Sequence, residues 1–282
     1  MYNPKYTKTF YNAYGEVEWN RLERSAYGRL QSLIHADFIQ RYLKSGDRAL
    51  DAGSGPGRFS IVAGQIGAKV TVLDISDTQL AIAKKKLSEA GLLDRVDQFI
   101  EADITDLSMF PTSHFDLVIC FGGALSYVCE LRQKAVKELL RVSRPGAIIL
   151  VSVMSRIGSF LLDVQMPNLP LLREPDKSTS EQPGLWQPLK TGDLYGFPSR
   201  SIKLIHAPMH LYTAEELASL FDGYQILEIA GSNVTIRGYS SSAEQIAAGP
   251  EAWGTLVELE RKINRDSGLL NAGSHIIIAV RK

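Results

Sequence analysis

The stretch that decides the fold is ALDAGSGPGRFS, residues 49–60. Residues Arg48–Ala52 predict a short β-strand, residues Gly57–Ile66 predict a helix, and three glycines lie in the turn between them. Glycine lets the backbone turn sharply and lets a ligand approach it closely. The helix N-terminus adds unpaired N–H donors and a partial positive charge. The stretch therefore predicts either a ligand-binding loop or a tight βα turn without a ligand.

The glycine spacing separates the common nucleotide-binding loops. A dinucleotide loop has the pattern G-x-G-x-x-G, which from Gly53 and Gly55 requires a third glycine where the sequence has Arg58. The spacing therefore weakens, without excluding, a nicotinamide-dependent oxidoreductase. No Gly-Lys-Ser/Thr follows the loop, so a phosphate-binding P-loop is not predicted.

Strands and helices alternate after the loop. Such alternation predicts right-handed βαβ crossovers and a mostly parallel sheet covered by helices on both faces. The predicted strands are 70–73, 96–100, 116–121, 147–153, 225–230 and 275–280, and the predicted helices are 78–90, 132–142, 213–221 and 250–266.

The periodic pattern divides the chain into four parts. Residues 1–45 are predicted to form an N-terminal helical cap, with one helix over 16–44 that is broken near Gly28. Residues 46–154 are predicted to form the cofactor-binding α/β core, and residues 209–282 its C-terminal part. Residues 155–208, proline-rich and aperiodic, are predicted to be a lid or substrate-binding insertion.

Four successive strands end in residues suited to a ligand. Asp74 lies about 20 residues beyond the loop, where a carboxylate can hydrogen-bond ribose hydroxyls. Asp103 can accept a hydrogen bond from an exocyclic amine, Ile104 can face a purine ring, and the small residues after Phe121 leave room. Open α/β sheets bind ligands at this carboxyl edge. Each residue also has a structural alternative, such as a helix N-cap for Asp74, but together they predict a nucleoside site.

At these residues the sequence resembles a known family. ALDAGSGPGRFS (49–60), VTVLDIS (70–76), EADITDL (101–107), FDLVICFGG (115–123) and LLRVSRPGAIIL (139–150) are similar to the ordered motifs of class I S-adenosylmethionine-dependent methyltransferases. The resemblance covers residues 45–154 and, more weakly, the last strands. It implies a doubly wound, mostly parallel, Rossmann-like sheet of seven strands. The implied order is 3-2-1-4-5-7-6, with strand 7 antiparallel.

The resemblance also implies roles for individual residues, with S-adenosylmethionine as the cofactor. Three glycines would bound the pocket for its methionine part, and Asp51 would orient the loop and the amino group. Asp74 would bind the ribose hydroxyls, Asp103 the adenine amine, and Phe121 and Gly122 would lie beside the sulfonium. The implied cofactor-binding residues are Asp51, Gly53, Gly55, Gly57, Asp74, Ile75, Asp103, Ile104, Phe121 and Gly122.

The composition limits the kinds of partner that the protein is expected to bind. Lys+Arg 31 against Asp+Glu 31 gives a formal net charge of zero, which argues against a nucleic-acid substrate because a basic face is expected there. Two cysteines cannot form a disulfide framework or a four-cysteine zinc site, and the histidines lack metal-binding spacing, so no metal is predicted. No run of 18 apolar residues and no signal-peptide pattern occurs, so we expect a cytoplasmic protein without a membrane span. The oligomeric state stays open.

The predicted reaction is methyl transfer by in-line displacement to a small-molecule acceptor, at oxygen, nitrogen or carbon. His206 and His210 are the candidate general bases, because histidine titrates in the right range. The expected acceptor contacts are Tyr11, Tyr14 and Tyr127. Arg21, Arg24 and Arg29 are expected on a solvated helix face, with contact to a carboxylate as the alternative, and His35 is given no role. A nicotinamide-dependent oxidoreductase and a cofactor-binding module without catalysis remain the alternatives.

Overall fold

The computed structural model describes residues 1–164, 186–196, 199, 201–236 and 238–282. Seven of its strands form one sheet in the order β3-β2-β1-β4-β5-β9-β8, and β6 and β7 form a separate two-stranded sheet. The strands are β1 (Arg48–Ala52), β2 (Lys69–Asp74), β3 (Val96–Glu101), β4 (Phe115–Cys120), β5 (Ser143–Met154), β6 (Asp193–Leu194), β7 (Met209–His210), β8 (Gln225–Ser232) and β9 (His275–Arg281).

The helices cover both faces of the large sheet. Two hydrophobic clusters, one on each face, bury the apolar residues of the strands. The described helices are α1 (Pro4–Tyr14), α2 (Glu16–Arg21), α3 (Ala26–Tyr42), α4 (Arg58–Ile66), α5 (Asp77–Glu89), α6 (Ala124–Tyr127), α7 (Arg132–Val142), α8 (Arg156–Val164), α9 (Trp186–Thr191), α10 (Ala214–Ser219), α11 (Ser241–Ala248) and α12 (Pro250–Ile263).

The strand directions confirm the predicted fold class. The five strands β1 to β5 pair in parallel, whereas β9 runs antiparallel to both β5 and β8. In the sheet's own numbering β9 is the seventh strand, so the observed order is the implied 3-2-1-4-5-7-6. The parallel arrangement brings the ends of β1 to β4 to one edge, called here the ligand edge.

The N-terminal cap differs from its prediction in two places. The helix over 16–44 is interrupted at residues 22–25 rather than at Gly28, because the Ser25 side chain accepts the Gly28 amide and begins α3 at Ala26. Gly28 lies inside α3, where a Cβ atom would stand 2.2 Å from the Arg21 carbonyl oxygen. Glycine at position 28 therefore permits the close approach of α2 and α3.

Helix α1 was not predicted, although the sequence carries a signal for it. The Asn3 side chain accepts the Tyr6 amide as an N-cap, and Pro4 occupies the first helical position. The helix packs toward the ligand edge, where it contacts α5.

The predicted insertion is partly described. Helices α8 and α9 and the β6–β7 pair belong to it, whereas residues 165–185 lie outside the described residues. Hydrogen bonds from Arg156 to the Leu211 carbonyl and to Glu216 connect the start of α8 with the segment before α10. The boundaries of the four predicted parts remain a prediction.

Two glycines in helices provide a matched stability test. A Cβ atom at Gly158 would lie 1.6 Å from the Gly273 carbonyl oxygen, so Gly158→Ala should lower the free energy of unfolding by about 3 kcal/mol. Gly254, in α12, has nothing within 4 Å of such an atom, and Gly254→Ala should raise it by about 0.5–1 kcal/mol. Urea unfolding measures both. Equal changes in the free energy of unfolding for the two substitutions would contradict the close packing of Gly158 against Gly273.

Candidate functional site

One cavity lies along the ligand edge and contains most of the predicted cofactor residues. Its empty volume, which includes the open mouth, is about 930 Å3. Eight of the ten implied cofactor-binding residues line it: Gly53, Gly55, Asp74, Ile75, Asp103, Ile104, Phe121 and Gly122.

The glycine loop forms the floor of this cavity. Gly53 and Gly55 have φ angles of 79° and 52°, a region that side chains other than glycine rarely adopt. A Cβ atom at Gly53 would also stand 2.5 Å from the Ala124 Cβ atom. Both observations explain why the β1–α4 turn requires glycine, and the turn leaves backbone directly exposed to the cavity.

The remaining two implied residues lie just behind the cavity. Asp51 is buried and accepts a hydrogen bond from the Ser60 hydroxyl at 2.6 Å, and burial raises the pKa of its carboxyl to about 7. Gly57 packs against Ala83 of α5, where a Cβ atom would approach the Ala83 Cβ atom to 2.9 Å. These two residues shape the loop without lining the cavity.

Asp74 connects the end of β2 to the glycine loop. Its carboxylate accepts the Gly55 amide and the Ser76 amide, each at 2.8 Å. Burial raises the pKa of Asp74 to about 6, while these two hydrogen bonds act in the opposite direction. The N-cap of α5 is Ser76, so the helix-cap alternative for Asp74 does not account for its position.

Asp103 has a partner that the sequence did not indicate. Its carboxylate accepts the Thr105 amide at 2.8 Å and the Tyr2 hydroxyl at 2.7 Å. Tyr2 lines the cavity as well. A carboxylate offers about four lone-pair positions, so Asp103 retains capacity for a further donor.

Helix α1 is attached along the ligand edge by polar contacts. The Lys8 ammonium donates at 2.5 Å to Glu101, the last residue of β3. The Asn12 side-chain oxygen Oδ1 accepts a hydrogen bond from the Ser76 hydroxyl, and the Gln79 side chain donates to the Tyr11 backbone carbonyl. These contacts hold the N-terminal residues over the ends of β2 and β3.

Aromatic rings from three parts of the chain meet beside the cavity; this group, called here the aromatic cluster, comprises Phe10, Tyr11, Tyr14, Tyr127 and His206. Tyr11 and Tyr127 line the cavity with ring centroids 5.4 Å apart, whereas Tyr14 stacks on Phe10 behind them. Burial raises the pKa of Tyr11 and of Tyr127, so both hydroxyls stay protonated at neutral pH.

The two candidate bases occupy different surroundings. His206 packs on Phe10 and Tyr127, at centroid distances of 4.6 and 5.8 Å, and burial lowers its pKa. His210 is buried away from the cavity lining, with its Nδ1 atom 2.7 Å from the Asp193 carboxylate and its ring edge-on to Tyr212. Burial lowers the pKa of His210 as well, and Asp193 opposes this shift.

Residues of α2 and α3, in the N-terminal cap, also line the cavity. Arg21 is paired with Glu18 through two hydrogen bonds rather than solvated, and both residues line the cavity. Gln31 and His35 line it from α3. Gln31 and His35 lie on the buried face of α3 with Leu30 and Ile34, so the helical period predicts burial for them but not a cavity.

His35 has a defined protonation state. Its Nδ1 atom lies 2.8 Å from the Gln31 carbonyl oxygen, which can only accept, so Nδ1 carries the proton. Burial lowers the pKa of His35 to about 4. The imidazole is therefore neutral near pH 7, with a lone pair on Nε2.

Two further structural properties bear on function. Within the described ranges, no helix combines the length and apolarity that crossing a bilayer requires. The same residues contain no group of three or more His, Cys, Asp or Glu side chains arranged to hold a metal ion.

The chemistry of the cavity fits S-adenosylmethionine. Acidic side chains, Asp74 and Asp103, face the region of the β2 and β3 ends. A Cβ atom built at Gly122 meets nothing within 4 Å, so glycine there leaves room for a ligand atom. Three buried polar atoms among the lining residues, on Gln31, His35 and Arg58, have no hydrogen-bond partner in the described part of the chain.

Comparison with known proteins agrees with this geometry. Residues 50–151 match the model of the family described as methyltransferase domain. The ubiquinone/menaquinone biosynthesis C-methyltransferase UbiE of Psychromonas ingrahamii is 28% identical over 209 residues, or 70% of this chain and 75% of that protein. The malonyl-[acyl-carrier protein] O-methyltransferase of Pectobacterium atrosepticum is 34% identical over 45% of this chain. The second match spans 44% of the relative's length, less than half of that protein.

Solved structures show the same fold at low identity. A methyltransferase from Methanosarcina mazei has a TM-score of 0.57 and 20% identity, over 87% of this chain and 96% of that one. The [4+2]-cyclase SpnF has a TM-score of 0.54 and 22% identity, over 89% and 80%. With the observed sheet order, these findings confirm the predicted resemblance to class I S-adenosylmethionine-dependent methyltransferases.

The buried His35 gives a pH-dependent contribution to stability. Its pKa is about 4 in the folded protein, against an ordinary value of 6.5, so the unfolded state takes up the proton first as the pH falls. The contribution is complete above pH 6.5 and is lost toward pH 4, by about 3 kcal/mol. The difference in unfolding free energy between wild type and His35→Phe should therefore shrink by that amount over this window. A pH-independent difference in urea denaturation would contradict it.

Proposed function

We propose that the protein transfers a methyl group from S-adenosylmethionine to a small-molecule acceptor. The observation that carries this proposal is the cavity that joins the strand-end carboxylates Asp74 and Asp103 to Tyr11 and Tyr127 of the aromatic cluster. A cofactor held by the strand ends would leave its methyl group facing an acceptor beside these rings.

Different cofactor-binding residues contact different chemical groups of the cofactor. Asp74 and Ile75 bind the ribose, since the Asp74 carboxylate can accept hydrogen bonds from two adjacent hydroxyls. Asp103 accepts a hydrogen bond from the adenine amine in addition to the one from the Tyr2 hydroxyl, and Ile104 packs on the purine ring. Gly53, Gly55 and Gly122 admit the rest of the cofactor by exposing backbone.

The protein's contribution to the reaction is orientation and exclusion of water. Bound S-adenosylmethionine supplies a methyl group already activated by a sulfonium sulfur. The residues need to align the acceptor with that methyl group, which is proximity catalysis. The aromatic cluster and α1, attached over the ligand edge, keep water from the cavity.

Of the two candidate bases, His206 has the better position. It packs on Tyr127, which lines the cavity, and its lowered pKa keeps the imidazole neutral and able to accept a proton. His210 bonds Asp193 outside the cavity lining, a position that supports a structural role.

Several observations support a small acceptor. The net charge of zero provides no general attraction for nucleic acid. The relatives from Psychromonas and Pectobacterium are named as a C-methyltransferase and an O-methyltransferase, so both acceptor atoms occur among similar proteins. Carbon, oxygen and nitrogen acceptors therefore all belong in the panel used to find the substrate.

Calorimetry tests the cofactor directly. S-adenosylmethionine and S-adenosylhomocysteine should both bind the purified protein at sub-millimolar concentration, because both carry the adenosyl group and the methionine chain. NADH should cause no fluorescence change on mixing. Binding of NADH without either sulfur compound would favour the oxidoreductase alternative and refute the proposal.

Asp74→Ala tests the predicted ribose contact. Loss of its buried hydrogen bonds should weaken S-adenosylhomocysteine binding by about 1–3 kcal/mol, or roughly 5–150-fold. Asp97→Ala, at an exposed position on the neighbouring strand β3, is the control and should bind normally. Circular dichroism verifies that both variants are folded. Unchanged affinity in a folded Asp74→Ala protein would exclude this role.

A further inference from the structure

The order of the strands indicates which way a cofactor would lie along the cavity. Along the ligand edge, Asp103 follows β3, Asp74 ends β2, Gly53 follows β1 and Gly122 follows β4. If the adenosyl group lies on Asp103 and Asp74, as proposed above, the amino-acid end of the cofactor points past β1. The present inference rests on that proposed function.

The residues at that end come from the N-terminal cap and from the start of α4. Gln31 and His35 lie one helical turn apart on α3, and their side chains are only 2% and 1% exposed. The His35 ring packs edge-on against Phe121 at a centroid distance of 4.9 Å and stacks on Phe59 at 5.6 Å. Arg58 completes this end of the cavity. The group is therefore buried and held in place on several sides.

Three atoms in this group are chemically unusual. The three atoms are Gln31 Oε1, His35 Nε2 and Arg58 Nε. They are buried and have no hydrogen-bond partner in the described part of the chain, and the residues that carry them line the cavity. By contrast, the carboxylates of Asp74 and Asp103 are each bonded already. Native proteins rarely leave buried polar atoms unpaired, so a bound ligand is expected to satisfy the three atoms.

Their polarity specifies the ligand. Gln31 Oε1 is an acceptor, and His35 Nε2 is also one because Nδ1 carries the proton. Arg58 Nε is a cationic donor. The Nη2 atom of the same guanidinium contacts the Trp19 carbonyl at 3.0 Å and the Glu23 carboxylate at 3.4 Å, and the group lies over the Trp19 ring, whereas Nε has no partner in the described part of the chain. Two acceptors and one cationic donor in the lining of the same cavity complement a zwitterionic ligand, whose ammonium group donates hydrogen bonds and whose carboxylate accepts them.

We propose that Gln31 and His35 accept hydrogen bonds from the α-ammonium group of S-adenosylmethionine, and that Arg58 faces its α-carboxylate. The N-terminal cap thereby distinguishes a nucleoside that carries an amino acid from one that lacks it. Arg21 does not take this role, because Glu18 accepts hydrogen bonds from both its Nε and its Nη2 atoms, whereas the Nε atom of Arg58 is unpaired in the described part of the chain.

Two ligands of the same nucleoside separate this contact from the rest of the site. S-adenosylhomocysteine carries the amino-acid group, whereas 5′-methylthioadenosine retains the adenosyl group and the sulfur without it. Calorimetry should show that His35→Phe binds S-adenosylhomocysteine about 10–100-fold more weakly than wild type, the effect of losing a hydrogen bond to a charged group. Its affinity for 5′-methylthioadenosine should be unchanged.

Arg58→Met should show the same selective loss. Gln40→Ala, at an exposed position on α3, is the control and should bind both ligands as wild type does. If wild type binds S-adenosylhomocysteine and His35→Phe loses affinity for both ligands equally, or for neither, the inference is wrong while the proposed function stands. If wild type binds neither ligand, both are refuted.

A measurement on the wild-type protein covers the case in which a variant fails to fold. In nitrogen-15 NMR, the His35 Nε2 resonance reports directly whether its lone pair accepts a hydrogen bond. S-adenosylhomocysteine should shift this resonance, and saturating 5′-methylthioadenosine should leave it near its ligand-free position. A resonance that responds to neither ligand, despite binding, would overturn the inference.

Discussion

The hydrogen bond from the Gly55 amide to the Asp74 carboxylate connects the two halves of the site. It requires a left-handed backbone at Gly53 and Gly55, and it requires β1 and β2 to pair so that the two ends are adjacent. The Leu73 carbonyl, which accepts the Gly53 and Ser54 amides, reinforces the same junction. The cavity exists because the loop is held against the end of β2 in this way.

Much of this arrangement could be predicted from sequence, because it depends on local patterns. The strand at Arg48–Ala52 and the helix at Arg132–Val142 have the predicted bounds, and other strands differ by one to four residues at their ends. Residues at strand ends are also predictable, since parallel strands bring their carboxyl ends to one edge. This is why Asp74 and Asp103, distant in sequence, could be assigned to one cavity.

The parts that escaped prediction depend on contacts between distant segments. Tyr2 bonds Asp103 across 101 residues, and no local pattern indicates that pairing. His35 and Gln31 share the buried face of α3 with Leu30 and Ile34, and periodicity alone cannot separate a core position from a cavity position. His206 and His210, four residues apart, diverge because only one of them reaches the aromatic cluster.

Tyr2 and Lys282 lie at opposite edges of the sheet. Tyr2 bonds Glu130 and Asp103 at the ligand edge, whereas the Lys282 amide bonds the Ala147 carbonyl near the start of β5. A fusion partner or affinity tag attached before Met1 would consequently emerge beside the mouth of the cavity and crowd it. The same peptide attached after Lys282 would project from the far side, which makes that end the suitable one for immobilising or labelling an active protein.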